Sequence, residues 1–180
     1  MRRVVVFELA SLDGIAEAPE TFFDWDDALD EQLGEVIATQ DAVILGRRTY
    51  DEWASFWRTS EVQPFATFIN GVTKHVATST PLEPEWANSS AIAGALPEFV
   101  RGLRQRAGGD IGVHGSISVA QTLLNAGLVD ELRLVIGPMI AGRGRRLLDG
   151  APPLKLESIR SRVSPKGYVE ADYRVIPNAG

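Results

Sequence analysis

Cysteine is missing from all 180 residues, and histidine occurs only at His75 and His114. Without thiols there is no disulfide, no thiolate nucleophile and no cysteine-based zinc site. The two histidines form no ligand-spaced pair, so no metal is expected. Long apolar runs are missing too. Nothing approaches the ~18 consecutive apolar residues of a membrane-spanning helix. The opening MRRVVVFELASLDG has a short apolar core broken by Glu8, and reads as a strand, not a secretion signal. The expected location is the cytoplasm. Positive charge is scarce: 18 Lys and Arg stand against 24 Asp and Glu, a formal charge of −6. There is no basic stripe of the kind nucleic acid needs. The arginines fall instead in short groups at 47–48, 101–106 and 143–146, which suit a small anion better than a polyanion.

What is present is an alternation. Residues 2–9 (RRVVVFEL) are β-branched and nearly continuous, as in a parallel-sheet strand buried on both faces. A loop rich in Gly, Pro and acids covers 11–25. Over 26–39, Leu29, Leu33, Val36 and Ile37 recur at helical spacing, with Asp26 and Asp27 at the positive end of the helix dipole. Further strands are expected at 42–45, 74–79, 111–114 and 131–138. Helices are expected at 48–56, 95–107 and 117–127, the last closed by Gly127. Residues 154–162 and 168–176 read as two strands joined across the turn-rich SPKG. The fold class is therefore a three-layer α/β domain over 1–180, with a mostly parallel sheet and a C-terminal antiparallel hairpin.

In such sheets ligands bind at the carboxyl ends of the strands. Gly46-Arg47-Arg48-Thr49 follows one strand and opens a helix, whose free N–H groups and dipole suit a phosphate. The arginines offer forked donors. The same four residues also make an ordinary capped helix with two solvated arginines, and no Walker A pattern is present. Thr78, Ser79 and Thr80 follow the next strand, as ligand hydroxyls or as a polar exit. His114, Gly115, Ser116 and Ile117 form a second strand-to-helix passage. A helix start disfavours the charged form of His114, which points to a hydrogen-bonding role over acid–base work. Asp13, in Ser11-Leu12-Asp13-Gly14, faces a substrate or simply forms a turn.

Together, SLDG after the first strand, ILGRRTYDEW after the second, the Ser/Thr exit after the third, and GLVDELRL with GRGRRLL near the end resemble the dihydrofolate reductase superfold. The closer resemblance is to the reductase domain of the bacterial riboflavin-biosynthesis deaminase-reductase, over about residues 3–176. The resemblance implies a stand-alone, NADPH-dependent reductase of a small heterocycle or ribosylamino-pyrimidine. It implies that Arg47, or Arg48, grips the adenosine 2′-phosphate, that Gly46 and Thr49 meet the pyrophosphate, and that Ser79 and Thr80 line the adenosine side. His114, Gly115, Ser116 and Ile117 would form the second cradle, and Leu9, Ala10 and Ile15 would border the nicotinamide. The family usually has Gly-Gly where this chain has His114-Gly115, so the cis bond found there in dihydrofolate reductases is not assumed. Counting back from GRRT without a gap places the family's helix carboxylate at Asp30, among Asp24, Asp26, Asp27 and Glu31. Asp13 and Asp30, or water, are the proton donors considered. Arg143, Arg145 and Arg146 are available for a substrate phosphate, or form a basic surface turn. A homodimer is implied. Trp53, Phe56 and Trp57 would serve that contact, the core or the substrate cleft. Dihydrofolate reduction proper and a non-catalytic NADPH-binding module are the rival readings.

Overall fold

The computed structural model describes residues 1–177. Eight strands form one sheet: β1 (Val4–Ser11), β2 (Gln40–Gly46), β3 (Thr73–Ala77), β4 (Ser89–Ala91), β5 (Asp110–His114), β6 (Glu131–Gly137), β7 (Lys155–Val163) and β8 (Val169–Ile176). Their spatial order is β4-β3-β2-β5-β1-β6-β8-β7. Pairs from β4 to β6 are parallel, and β8 returns antiparallel between β6 and β7. Five α-helices pack on the sheet: α1 (Leu29–Ala38), α2 (Arg47–Phe56), α3 (Phe65–Gly71), α4 (Leu96–Arg104) and α5 (Ile117–Asn125).

Strand alternation builds the layers. On β1, Val4 and Val6 enter one core with Val100, Leu103 and Leu123 of α4 and α5. Val5 and Phe7 enter the other, with Leu33 of α1, Tyr50 of α2 and Ile69 of α3. Each such side chain contributes about 1.5–3 kcal/mol by leaving water, so a strand with apolar residues at both parities settles in the middle of three layers.

Several boundaries differ from the sequence reading. The first helix starts at Leu29, not 26, because Asp26 turns its carboxylate to the Ala28 and Lys166 backbone N–H groups and fixes a turn there. The third strand stops at Ala77, where Thr78 and Thr80 bond each other. The fourth helix ends at Arg104, whose guanidinium reaches Asp130 and the Leu128 carbonyl. The expected Gly127 stop is present: at φ +64, with Gly127 N–H on Leu124 O and Leu128 N–H on Leu123 O, it is a Schellman closure. No helix among the described residues is long and apolar enough to cross a membrane.

Candidate active site

Because β5 lies between β2 and β1, the carboxyl ends of these strands open side by side. The first turns of α2 and α5 therefore face one cleft. Neither helix has a side-chain cap on its first N–H groups. A single chain of hydrogen bonds joins the two starts. Gly46 N–H donates to Ser116 Oγ at 3.0 Å, Ser116 Oγ to Thr49 Oγ1 at 2.9 Å, and Thr49 Oγ1 to the Gly115 carbonyl at 2.9 Å. Gly46, Thr49 and Ser116 thus act together, tying the two cradles that the sequence suggested separately.

The cleft is a series of three cavities. The central one, about 510 Å³, is lined by Gly46, Thr49, Gly115, Ser116 and Ile117, with Ala16 opposite. An outer one, about 660 Å³, is lined by Thr78, Ser79 and Thr80, and shares Arg47, Ala77 and Leu96 with the central cavity. An inner one, about 300 Å³, is walled by Trp25, Trp53, Trp57, Phe65, Phe7 and Leu9. Glu8, Pro19, Trp53 and Gly115 border both the central and the inner cavity.

Arg47 reaches Asp51 at 2.8 Å and also donates to the Thr80 hydroxyl and the Pro81 carbonyl. Arg48 pairs with Glu52 at 2.9 Å and Glu17 at 3.1 Å. These contacts use Nε and Nη1, so Nη2 of each arginine has no partner among the described residues. The pairs of Arg48 are exposed and that of Arg47 half-buried, so they are worth little in stability, and they leave both cations available to an anion.

Gly115 has φ +60, and a Cβ there would lie 2.6 Å from Trp53 Cζ2. Only glycine permits this backbone so close to the indole. The His114–Gly115 bond is trans, since the cis bonds among the described residues precede Pro64 and Pro84. His114 is buried among Phe7, Phe65 and Phe68, with Nε2 2.8 Å from Gln40 Oε1. Burial, and not the helix start invoked from the sequence, lowers its pKa to about 3, so the ring is neutral.

Asp30 accepts from Trp25 Nε1 at 2.9 Å and lines the inner cavity. Asp13 stands away from the three cavities. Its carboxylate takes the Ser11 hydroxyl and the Ala141 and Gly142 N–H groups, which pull its pKa down to about 2. It pins the segment after β6. Leu9 lines the inner cavity, while Ala10 and Ile15 are buried behind the surface and Ala16 takes the lining place. Arg145 borders the central cavity and bonds Glu17 and Ser118, and Arg146 donates to the Asp13 carbonyl. Trp53 and Trp57 belong to the cleft, whereas Phe56 is exposed.

The sequence reading missed Glu8. It is only 3% exposed, and its Oε1 has no partner among the described residues. Burial raises its pKa to about 8, against the opposing pull of the Ser116 and Gly115 amides.

A family model described as the RibD C-terminal domain matches residues 2–169. An uncharacterized protein of Bacillus subtilis, YyaP, is 27% identical over 179 residues, covering 96% of this chain and 94% of that protein. A riboflavin biosynthesis protein, described as putative, from a Shewanella species superposes with a TM-score of 0.79 at 18% identity, over 97% of this chain and 99% of that one. A pyrimidine reductase-like protein of Corynebacterium diphtheriae gives 0.75 at 16%, over 98% and 93%. A Thermotoga maritima diaminohydroxyphosphoribosylaminopyrimidine deaminase/5-amino-6-(5-phosphoribosylamino)uracil reductase gives 0.69 at 17%, and this chain covers 57% of it.

Proposed function

We propose that this chain, which belongs to the RibD C-terminal domain family, is a reductase using NADPH in preference to NADH to reduce a small flat heterocycle of the ribosylamino-pyrimidine kind. The observation that carries this reading is the continuous run of three cavities, from a hydroxyl-and-arginine rim, past two helix N-termini, to an aromatic chamber. A dinucleotide with an extra phosphate has the matching order of parts.

The residues fit such a group. Arg47, with Ser79 and Thr80 beside it, would hold the 2′-phosphate and adenosine end, and Arg48 would add a second cation. The uncapped N–H groups of α2 and α5 suit a pyrophosphate. Gly115, required to be glycine by Trp53, lets the backbone approach the ring end, with Leu9 across from it. When bound, the reduced nicotinamide supplies a hydride. The chain's own part is to align the acceptor ring between indoles, exclude water and hold a proton nearby.

The inner cavity narrows the substrate. None of its lining residues is Arg or Lys, and two, Glu8 and Asp30, are acids. A phosphate there would be desolvated beside carboxyl groups without a cation. The pyrimidine-type ring is therefore proposed to enter without a phosphate in this chamber, its N–H groups facing Asp30. The test follows loss of NADPH absorbance with 5-amino-6-ribosylaminouracil and with its 5′-phosphate. Faster reduction of the unphosphorylated compound is expected, and no NADPH loss with either would contradict the reading. Asp30 in this chamber also favours the second reading, dihydrofolate reduction proper, which competition by methotrexate would reveal.

A homodimer is part of the proposal. Edge strand β7 exposes Leu156, Ile159 and Val163 on an unpaired edge.

A further inference from the structure

Glu8 stands in the middle of the central strand, where packing asks for an aliphatic residue. The same face of β1 carries Val4, Val6 and Ala10, all buried. No cation pairs with the Glu8 carboxyl among the described residues, and Oε1 is an orphan. A buried, unpaired carboxylate is strongly unfavourable, so this residue lowers stability where alanine or valine would raise it. Its position gives the compensation. Glu8 is the one carboxyl that borders both the central and the inner cavity among the described residues.

We propose that Glu8 is the acid that delivers the proton during reduction, standing where the two cavities meet. This inference rests on the reductase reading above. As hydride reaches the carbon of a C=N or C=O group in the inner cavity, the π electron pair moves to the nitrogen or oxygen. That atom takes the proton from the Glu8 carboxyl. The carboxylate left behind is reprotonated by water in the central cavity. One hydride, carrying two electrons, completes the C–H bond, and one proton from Glu8 completes the N–H or O–H bond. The reductant is the reduced nicotinamide, which is left oxidised, and the proton consumed comes in the end from solvent.

The other acids are placed less well. Asp13 is held ionised outside the cavities. Asp30 borders only the inner cavity and accepts from Trp25. On its central side Glu8 meets the Gly115 and Ser116 amides, with Arg47, Arg48, Arg145, Glu17, Glu20 and Glu52 around the same cavity. On its inner side stand Asp30 and the neutral His114.

The experiment uses the full chain with 13C at the glutamate side-chain carboxyl only, which leaves Asp13 and Asp30 silent. One resonance is expected to remain protonated at neutral pH, to titrate near pH 8, and to be absent from Glu8→Gln. Titration of every glutamate in the ordinary carboxylate range would overturn the proposal. In parallel, NADPH binding to both proteins is followed by tryptophan fluorescence, and kcat with 5-amino-6-ribosylaminouracil by NADPH loss. Unchanged NADPH affinity with a loss of about 100-fold or more in kcat is the result expected for a general acid, with partial rescue in Glu8→Asp. Equal kcat in wild type and Glu8→Gln would overturn it. Absence of NADPH binding to the wild type would sink the reductase reading itself. Where the wild type binds NADPH without reducing this compound or its 5′-phosphate, the reductase reading fails and the proton-delivery proposal fails with it.

Discussion

The Ser116 hydroxyl donates to the Thr49 hydroxyl at 2.9 Å, tying the start of α5 to the first turn of α2. The same two side chains hold Gly46 N–H and the Gly115 carbonyl. Thr49→Val removes the middle of this chain and leaves the Gly115 carbonyl short of a donor. A loss of about 1–2 kcal/mol is expected in denaturant unfolding, together with weaker NADPH binding because the two helix starts are no longer held in register. Unchanged binding would show that the link serves stability alone.

Gly115→Ala is expected to be worse for the site than for the fold. The added Cβ meets Trp53 at 2.6 Å and sits at positive φ. Overpacking of this kind costs about 1–3 kcal/mol. Displacing Trp53 also narrows the passage it borders between the central and inner cavities. Thermal unfolding and an NADPH titration separate the two effects, and a variant that binds like wild type would contradict the close-approach role.

Arg47→Ala should weaken NADPH far more than NADH, because only NADPH carries the phosphate assigned to it. Equal losses for the two cofactors would remove that assignment.

Stability should respond to pH through Glu8. Its folded pKa, about 8, lies above the ordinary glutamate value of 4.5. The folded state therefore binds the proton more tightly, and stability falls as pH rises from the lower value to the higher one, then levels. Glu8→Gln lacks this dependence. Its stability relative to wild type should increase between about pH 5 and pH 8 in paired urea titrations. A constant difference across that window would mean that Glu8 is not protonated in the folded protein.

Much of the fold was legible because burial leaves a pattern. The continuous apolar run of β1 marked a strand covered on both sides, and Gly127 marked the end of α5. β4 was not legible, since Ser89, Ser90 and Ala91 are short, largely polar and partly exposed at the sheet edge. The two cradles were visible as strand-to-helix passages, but their union through Thr49 and Ser116 depends on β5 lying beside β2. No local spacing encodes that neighbourhood. The aromatic chamber draws Trp25 from a loop, Trp53 from α2 and Leu9 from β1, so only the tertiary fold assembles it. Glu8 had one signal, its parity with Val4, Val6 and Ala10, and it was passed over as a polar break in an apolar run.

Edge strand β7 offers a separate check. Val163→Glu places a charge on an exposed apolar side chain of this edge and is expected to shift a dimer toward monomer in sedimentation experiments without lowering stability. A wild-type protein that is monomeric at every concentration would remove the dimer from the proposal.

The most direct measurement of the cofactor claim is a titration of the wild-type protein with NADPH and, separately, NADH, read by quenching of tryptophan fluorescence. Trp25, Trp53 and Trp57 all border the inner cavity, so a ligand filling the cleft reports on itself. Saturable NADPH binding with clearly weaker NADH binding is expected. No saturable quenching by either would contradict the dinucleotide site and the reductase built on it.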